Sequence, residues 1–204
     1  MNELMQAVSQ AETIAIGGHV RPDGDCIGSC MGLYSYIQDN FPGKKVTVYV
    51  EEIPSAFDYL SKEEAMTEQC GADQVYDLFV ALDCGDKERL GEAAGILEKA
   101  KATYCVDHHI TNTHFCQKEQ VEADASSTSQ ILYTLMEDEK ISYATACCLY
   151  TGIIHDTGVF KHSNTSCRTM EIAGALMNKG IPFGKSIDGS FYMKSYKQLQ
   201  IMGR

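Results

Sequence analysis

The chain has 204 residues, 44% apolar and 22% charged, enough for one domain with a sizeable core and unlike a disordered or fibrous chain. A net charge of −11 argues against a binder of long duplex nucleic acid, which needs a basic footprint. It leaves small phosphate substrates open, because bound cations supply positive charge that a sequence count misses.

The nine cysteines are odd in number and scattered, and none forms a CxxC pair. Set mostly in apolar runs, they read as reduced core residues, not as a disulfide framework, a zinc ribbon or a thioredoxin-type site. The N-terminus has an early acidic residue and no basic flank ahead of an apolar stretch, so it does not read as a signal peptide. No apolar run reaches membrane-spanning length, and the expectation is a cytoplasmic protein with no membrane contact.

In chain order, residues 13–16 are a short apolar run ending in Gly17 and Gly18, which predicts a buried strand and a turn. Beyond Pro22, Asp23, Gly24 and Asp25 the period changes. Ile27, Cys30, Met31, Tyr34 and Ile37 recur at three- and four-residue steps, an amphipathic helix stopped by Pro42 and Gly43. Residues 45–50 alternate and are β-branched, hence a strand, and 78–82 is another, fully buried. A helix over 96–102 and a strand over 103–106 follow. Further helices are predicted over 126–136, over 143–154 (apolar almost all round, so buried) and over 166–177. Strand–helix alternation through the first two-thirds predicts an α/β fold, a parallel, doubly wound, Rossmann-like sheet flanked by helices.

The ionisable residues fall where these strands end. His19, Asp23 and Asp25 follow the first, Asp83 ends the 78–82 run, and Asp107, His108 and His109 end the 103–106 run. In open α/β sheets, ligands bind beyond the carboxyl ends of the strands, at the switch point. Asp156 is read as coming directly after the buried helix, where a lone carboxylate is costly unless paired or metal-bound. Asp23, Asp25, Asp83 and Asp156 packed together repel, and two divalent ions would balance their four negative charges. Mixed histidine and aspartate donors suit manganese best, or magnesium with more bound water. Two such ions roughly 3.5–4 Å apart can clamp attacking and leaving oxygens and acidify a water.

The runs His19-Val20-Arg21-Pro22-Asp23-Gly24-Asp25-Cys26-Ile27-Gly28-Ser29, Ala81-Leu82-Asp83, Val106-Asp107-His108-His109 and Gly152-Ile153-Ile154-His155-Asp156-Thr157-Gly158 resemble the four ordered motifs of the DHH phosphoesterase family. Residues 122–129 are similar to the segment that family carries between its third and fourth motifs. The branch most resembled is the RecJ-like group of nanoRNases and pAp phosphatases. The resemblance implies that His19 and Asp23 hold one metal ion, that Asp25, His108 and Asp156 hold the other, and that Asp83 bridges them. It implies a catalytic set of Asp83, Asp107 and His109, in which His109 faces the substrate phosphate and Asp107 supports the histidine pair. Arg89 and Lys161 are implied as phosphate contacts.

The implied activity is metal-dependent hydrolysis of short oligonucleotides (nanoRNA) or of 3′-phosphoadenosine 5′-phosphate. A cyclic-dinucleotide phosphodiesterase or a pyrophosphatase on the same ligands, and a non-enzymatic nucleotide sensor, stand as alternatives. The partner is then a small nucleotide or short oligonucleotide, and a homodimer stays open. Cys26 and Cys84 depart from the family's usual wording without removing a ligand. Residues 1–188 are expected to form the catalytic domain and 189–204 to begin a linker helix toward a C-terminal substrate-binding domain, whose glycine-rich GGGH motif is absent here. His114, His155 and His162 are read as surface or packing histidines. Gly28 and Ser29 serve either close packing or a phosphate contact, and 126–129 is a helix cap first and a site neighbour second.

Overall fold

The structure, a computed structural model, describes residues 2–60, 66–67, 74–193 and 200. Its strands are β1 (Thr13–Gly17), β2 (Lys45–Tyr49), β3 (Met66–Thr67), β4 (Leu78–Leu82), β5 (Ala102–Asp107) and β6 (Lys118–Val121). They form one sheet in the order β3-β2-β1-β4-β5-β6, and every pairing is parallel.

Side chains alternate along a strand, and this sorts the core into two layers. Ile14 and Ile16 of β1, Leu78, Val80 and Leu82 of β4, and Tyr104 and Val106 of β5 join one apolar cluster. Ala15, Phe79, Ala81 and Cys105 join the other. Five helices contribute to the first: α1 (Glu3–Gln10), α2 (Gly24–Asn40), α4 (Thr128–Leu135), α5 (Tyr143–Asp156) and α6 (Cys167–Met177). The second layer is closed by 3₁₀ turns over Lys87–Ala93 and the short α3 (Ala94–Leu97). Coverage on both faces is why 78–82 reads as an unbroken apolar run. The predicted doubly wound α/β fold is the one observed. Because β1 lies between β2 and β4, the chain winds away in both directions there and leaves a crevice beyond the carboxyl ends of β1 and β4.

Two local features set the site's walls. Asp23 caps α2, its Oδ1 accepting the N–H groups of Asp25 and Cys26 at 3.0 and 3.1 Å. Gly24, Gly28 and Gly32 then lie at four-residue spacing on one face of α2, against α5. A Cβ on Gly28 would sit 2.6 Å from the Cys148 carbonyl oxygen and 2.8 Å from the Gly152 nitrogen. Gly28 therefore serves close helix packing.

Several elements differ from the sequence expectation. α1 was not foreseen, although Leu4, Met5 and Val8 are buried and Asn2 caps it through the Met5 N–H at 3.0 Å. β6, with the sequence KEQV, is an edge strand and needs no apolar run. The helix expected over 96–102 is the four-residue α3, because Gly91 breaks the preceding turns at φ 57 and Ala102 already belongs to β5. The Ala102 N–H bonds the Asp77 carbonyl oxygen at 3.1 Å, so the sheet ladder claims a residue whose local pattern suits a helix. Asp156 is the last residue of α5, not a residue beyond it; apolar periodicity marks the core-facing side of a helix and stops short of its polar end. After α7 (Phe183–Ser186) a π-helical segment spans Ile187–Tyr192. The helical pattern expected toward the C-terminus lies outside the described residues over 194–199 and 201–204. Among the described residues no helix is long and apolar enough to cross a membrane.

Candidate metal centre

Asp83 stands between two clusters. It leaves β4 with its N–H still bonded to the Val106 carbonyl oxygen at 3.1 Å, and its backbone enters the left-handed region at φ 56. That region is costly for residues carrying a Cβ, and aspartate is among the few that tolerate it. Asp83 Oδ2 lies 3.5 Å from His19 Nε2, and Oδ1 lies 3.5 Å from His108 Nε2. His19, Asp23 and Asp83 form one group whose ligand atoms lie within 4.8 Å of one another; Asp25, His108 and Asp156 form a second. Asp83, His108 and His109 make a third that overlaps both. All six residues expected as ligands are thus brought together, from the ends of β1, β4, β5 and α5 and the start of α2.

Neighbouring groups orient these donors. His19 Nδ1 lies 2.9 Å from the Val20 carbonyl oxygen, which only accepts, so Nδ1 carries the proton and Nε2 is left for a cation. His108 Nε2 lies 3.0 Å from Asp156 Oδ2. Asp25 is fully buried, and both its oxygens accept backbone N–H groups from the first turn of α4, Thr128 at 2.6 Å and Ser129 at 3.0 Å. The positive end of that helix favours an anion at this spot. The Thr128 hydroxyl donates to Asp83 Oδ1 at 3.1 Å, while Ser127 caps α4. Residues 126–129 are therefore a cap and a wall of the site at once. Gly152 makes room for this: a Cβ there would lie 2.5 Å from Asp25 Oδ1.

Crowding and burial shift the titration of these groups. Burial pushes Asp25 well above the usual carboxylate range, and repulsion from Asp83 and Asp156 adds to it. Burial also raises Asp156, against the pull of His108. Asp83 is pushed up by burial as well, but His108 and His19 hold it below its ordinary value. Burial opposes charge on His19, yet Asp23 and Asp83 raise it to about 11; His108 reaches about 11 through Asp156 and Asp83 against the same opposition. Crowded buried carboxylates whose charge is met by protons on two imidazoles fit divalent cations, which supply that charge without protons.

The other residues singled out in the sequence lie around this centre. His109 Nδ1 bonds Asp107 Oδ1 at 2.6 Å. Arg89 is half-buried, its N–H held by Asp86 Oδ1 at 2.9 Å, and Lys161 is exposed with Nζ 5.9 Å from the centre of the Tyr192 ring. Neither side chain is in hydrogen-bonding contact with the six among the described residues. His114 pairs with Glu119 at 2.6 Å on the surface, and His155 bonds the Ser190 hydroxyl at 3.0 Å and packs on Phe57. His162 Nδ1 meets the Asp156 carbonyl oxygen at 3.0 Å, supporting the backbone of a candidate ligand. Sequence reasoning missed Asn112, whose amide donates to Asp107 Oδ2 at 2.7 Å; an asparagine in a loop carries no pattern that would reveal it.

A parallel sheet that gathers two histidine–carboxylate clusters around a shared aspartate, at its switch point, defines an α/β domain with a candidate metal centre. The chain belongs to the DHH family, whose N-terminal domain matches residues 13–153. It is 30% identical over 182 residues to a probable bifunctional oligoribonuclease and PAP phosphatase NrnA of Streptococcus mutans, covering 88% of this chain and 57% of the relative. It is also 30% identical over 190 residues to the bifunctional oligoribonuclease and PAP phosphatase NrnA of Bacillus subtilis, covering 90% of this chain and 58% of that one. A solved structure of an exopolyphosphatase-related protein from Bacteroides fragilis superposes with a TM-score of 0.88 at 26% identity, covering 98% of this chain and 62% of the other. The chain therefore spans a little over half the length of the curated relatives it matches.

Proposed function

We propose that this chain hydrolyses phosphoester bonds in short oligoribonucleotides and in 3′-phosphoadenosine 5′-phosphate, with two divalent ions of which manganese suits the donors best. The observation that carries this reading is Asp83, with one oxygen 3.5 Å from His19 Nε2 and the other 3.5 Å from His108 Nε2. In it, His19, Asp23 and Asp83 hold one ion and Asp25, His108, Asp156 and Asp83 the other. Such a pair supplies an acidified water and a clamp on the attacking and leaving oxygens. The choice of substrate leans on the activities named for the Streptococcus and Bacillus relatives.

The chain's own groups then have distinct tasks. The first-turn N–H groups of α4 fix both oxygens of Asp25, and the Val20 carbonyl sets the His19 tautomer, so the donors are in place before any cation arrives. Asp107 holds His109 by Nδ1, which leaves Nε2 to hydrogen-bond a phosphate oxygen or to help the leaving oxygen. Arg89 and Lys161 are phosphate contacts in this reading, and Lys161 gives up its place over Tyr192 to serve. A net charge of −11 disfavours long duplexes, so in this reading substrates are short, and the setting is the cytoplasm. Residues 1–188 act as the catalytic domain, with 189–204 leading toward a substrate-binding part.

The test is release of p-nitrophenol from bis-p-nitrophenyl phosphate, with parallel assays on dinucleotides and on 3′-phosphoadenosine 5′-phosphate. Turnover that requires manganese or magnesium and stops with chelator is expected. A chain that binds two ions by calorimetry and cleaves none of the three substrates would overturn the reading.

A further inference from the structure

We propose that Asn112 is a positioning residue that fixes the orientation of His109 through Asp107. Asp107 is fully buried at the end of β5, and a buried carboxylate needs donors for its oxygens. It has two side-chain donors: His109 Nδ1 at 2.6 Å on Oδ1 and Asn112 Nδ2 at 2.7 Å on Oδ2. The same amide nitrogen reaches the Cys84 carbonyl oxygen at 3.4 Å.

Asn112 is itself tied down on three sides. Its Oδ1 accepts the His114 N–H at 2.8 Å, and its own N–H donates to the His109 carbonyl oxygen at 3.1 Å. Next to it, the Thr113 N–H donates to the Gly85 carbonyl oxygen at 2.8 Å. The loop after β4, which begins with Asp83, and the loop after β5, which carries His108 and His109, are thus joined by the Asn112 side chain and by the backbone bond beside it. With Oδ2 held, the Asp107 carboxylate cannot swing, and Oδ1 stays on His109 Nδ1. The imidazole is then left with Nε2 as its free nitrogen, and His109 and Asn112 both line a cavity of about 360 Å³.

An amide is the group this place requires. It donates to the carboxylate, accepts from a backbone N–H and carries no charge. An aspartate of the same shape would set a second carboxylate against Asp107. An alanine would leave Oδ2 buried without its side-chain donor, which costs more than the bond itself contributes.

The effect on turnover rests on the role proposed above for His109. Asn112→Ala and Asn112→Asp, made in the whole chain, are compared with His109→Gln. Kinetics on bis-p-nitrophenyl phosphate with manganese are combined with calorimetric metal stoichiometry. The low-field proton resonance of the His109–Asp107 hydrogen bond, assigned by its loss in His109→Gln, is followed by NMR with magnesium. Both Asn112 variants are expected to lower kcat about tenfold, the scale of lost outer partners in metal sites. KM and metal stoichiometry should be kept, and the resonance should shift or vanish. The proposal is overturned if kcat stays within twofold of wild type while His109→Gln lowers it. It is equally overturned if the resonance does not move, or if kcat falls only in step with lost metal. If His109→Gln leaves kcat unchanged, the role of His109 fails instead, and the resonance alone decides for Asn112. Where solvent exchange hides that proton, the kinetic and stoichiometric comparison decides. Should Asn112→Ala not fold, Asn112→Ser replaces it, since its hydroxyl is too short to reach Asp107.

Discussion

Asp83 shows how much one side chain decides here. Both of its oxygens face a histidine, and its backbone sits at φ 56 so that the carboxylate meets both clusters. An amide in its place keeps the shape but offers one oxygen and no charge. Asp83→Asn should therefore cut kcat by more than the roughly 10–100-fold typical of lost outer partners, and lower the number of ions bound in calorimetric titration. His114→Ala, which breaks a surface pair with Glu119, should change neither. Near-normal turnover of Asp83→Asn at saturating manganese would remove Asp83 from the centre.

Among the elements, the meeting of α2, α4 and α5 governs the second cluster. Asp25 on α2 takes its backbone donors from α4, and the bare Gly152 on α5 lets that happen. Gly152→Ala would place a Cβ 2.5 Å from Asp25 Oδ1 and on top of the Ser129 hydroxyl. Overpacking of this kind costs about 1–3 kcal/mol, and here it also displaces a candidate ligand. The variant should unfold at lower urea and bind manganese more weakly. Gly174→Ala, in α6 with open space at the Cβ position, should instead gain about 0.5–1 kcal/mol and bind manganese as the parent does. Equal midpoints for the two variants would show that the α2–α4–α5 contact has slack the structure does not suggest.

At the scale of the whole molecule, charge couples the centre to stability. Cations that bind only the folded chain stabilise it by mass action, so chelator should lower the melting temperature and manganese restore it. The pH dependence has a definite sign. A histidine with a folded pKa above its unfolded value stabilises the fold fully below the unfolded value, and less as pH climbs toward the folded one. His19 and His108 rise from 6.5 to about 11, so the chelated chain should lose their contribution as pH rises above 6.5. The raised carboxyl of Asp25 acts in the same direction. In the proposed reading manganese takes the place of those protons, so its affinity should increase from pH 6 to pH 8 with measurable proton release. Titrations in buffers of different ionisation heat test this, and an affinity that is flat with pH would contradict it.

What the sequence determined was whatever repeats with a local period or sits next to something that does. The strands over 78–82 and 103–106 announce themselves as short apolar runs and the helix of Ile27 to Ile37 by its three- and four-residue steps, and the six candidate ligands lie at or just beyond the ends of such elements. The weaker readings were those where local pattern and tertiary demand diverge. Ala102 fits a helix but serves the β5 ladder, and the polar β6 strand is permitted because it lies at an edge. Only the tertiary structure decided what lies around the ligands. The grip of α4 on Asp25 spans 103 residues of chain, the meeting of Asp83 with His19 depends on two strands lying side by side, and Asn112 acts by reaching back to the end of β5. A sequence states which donors exist at each strand end; which oxygen each donor meets depends on packing between segments far apart in the chain, and no local pattern encodes it.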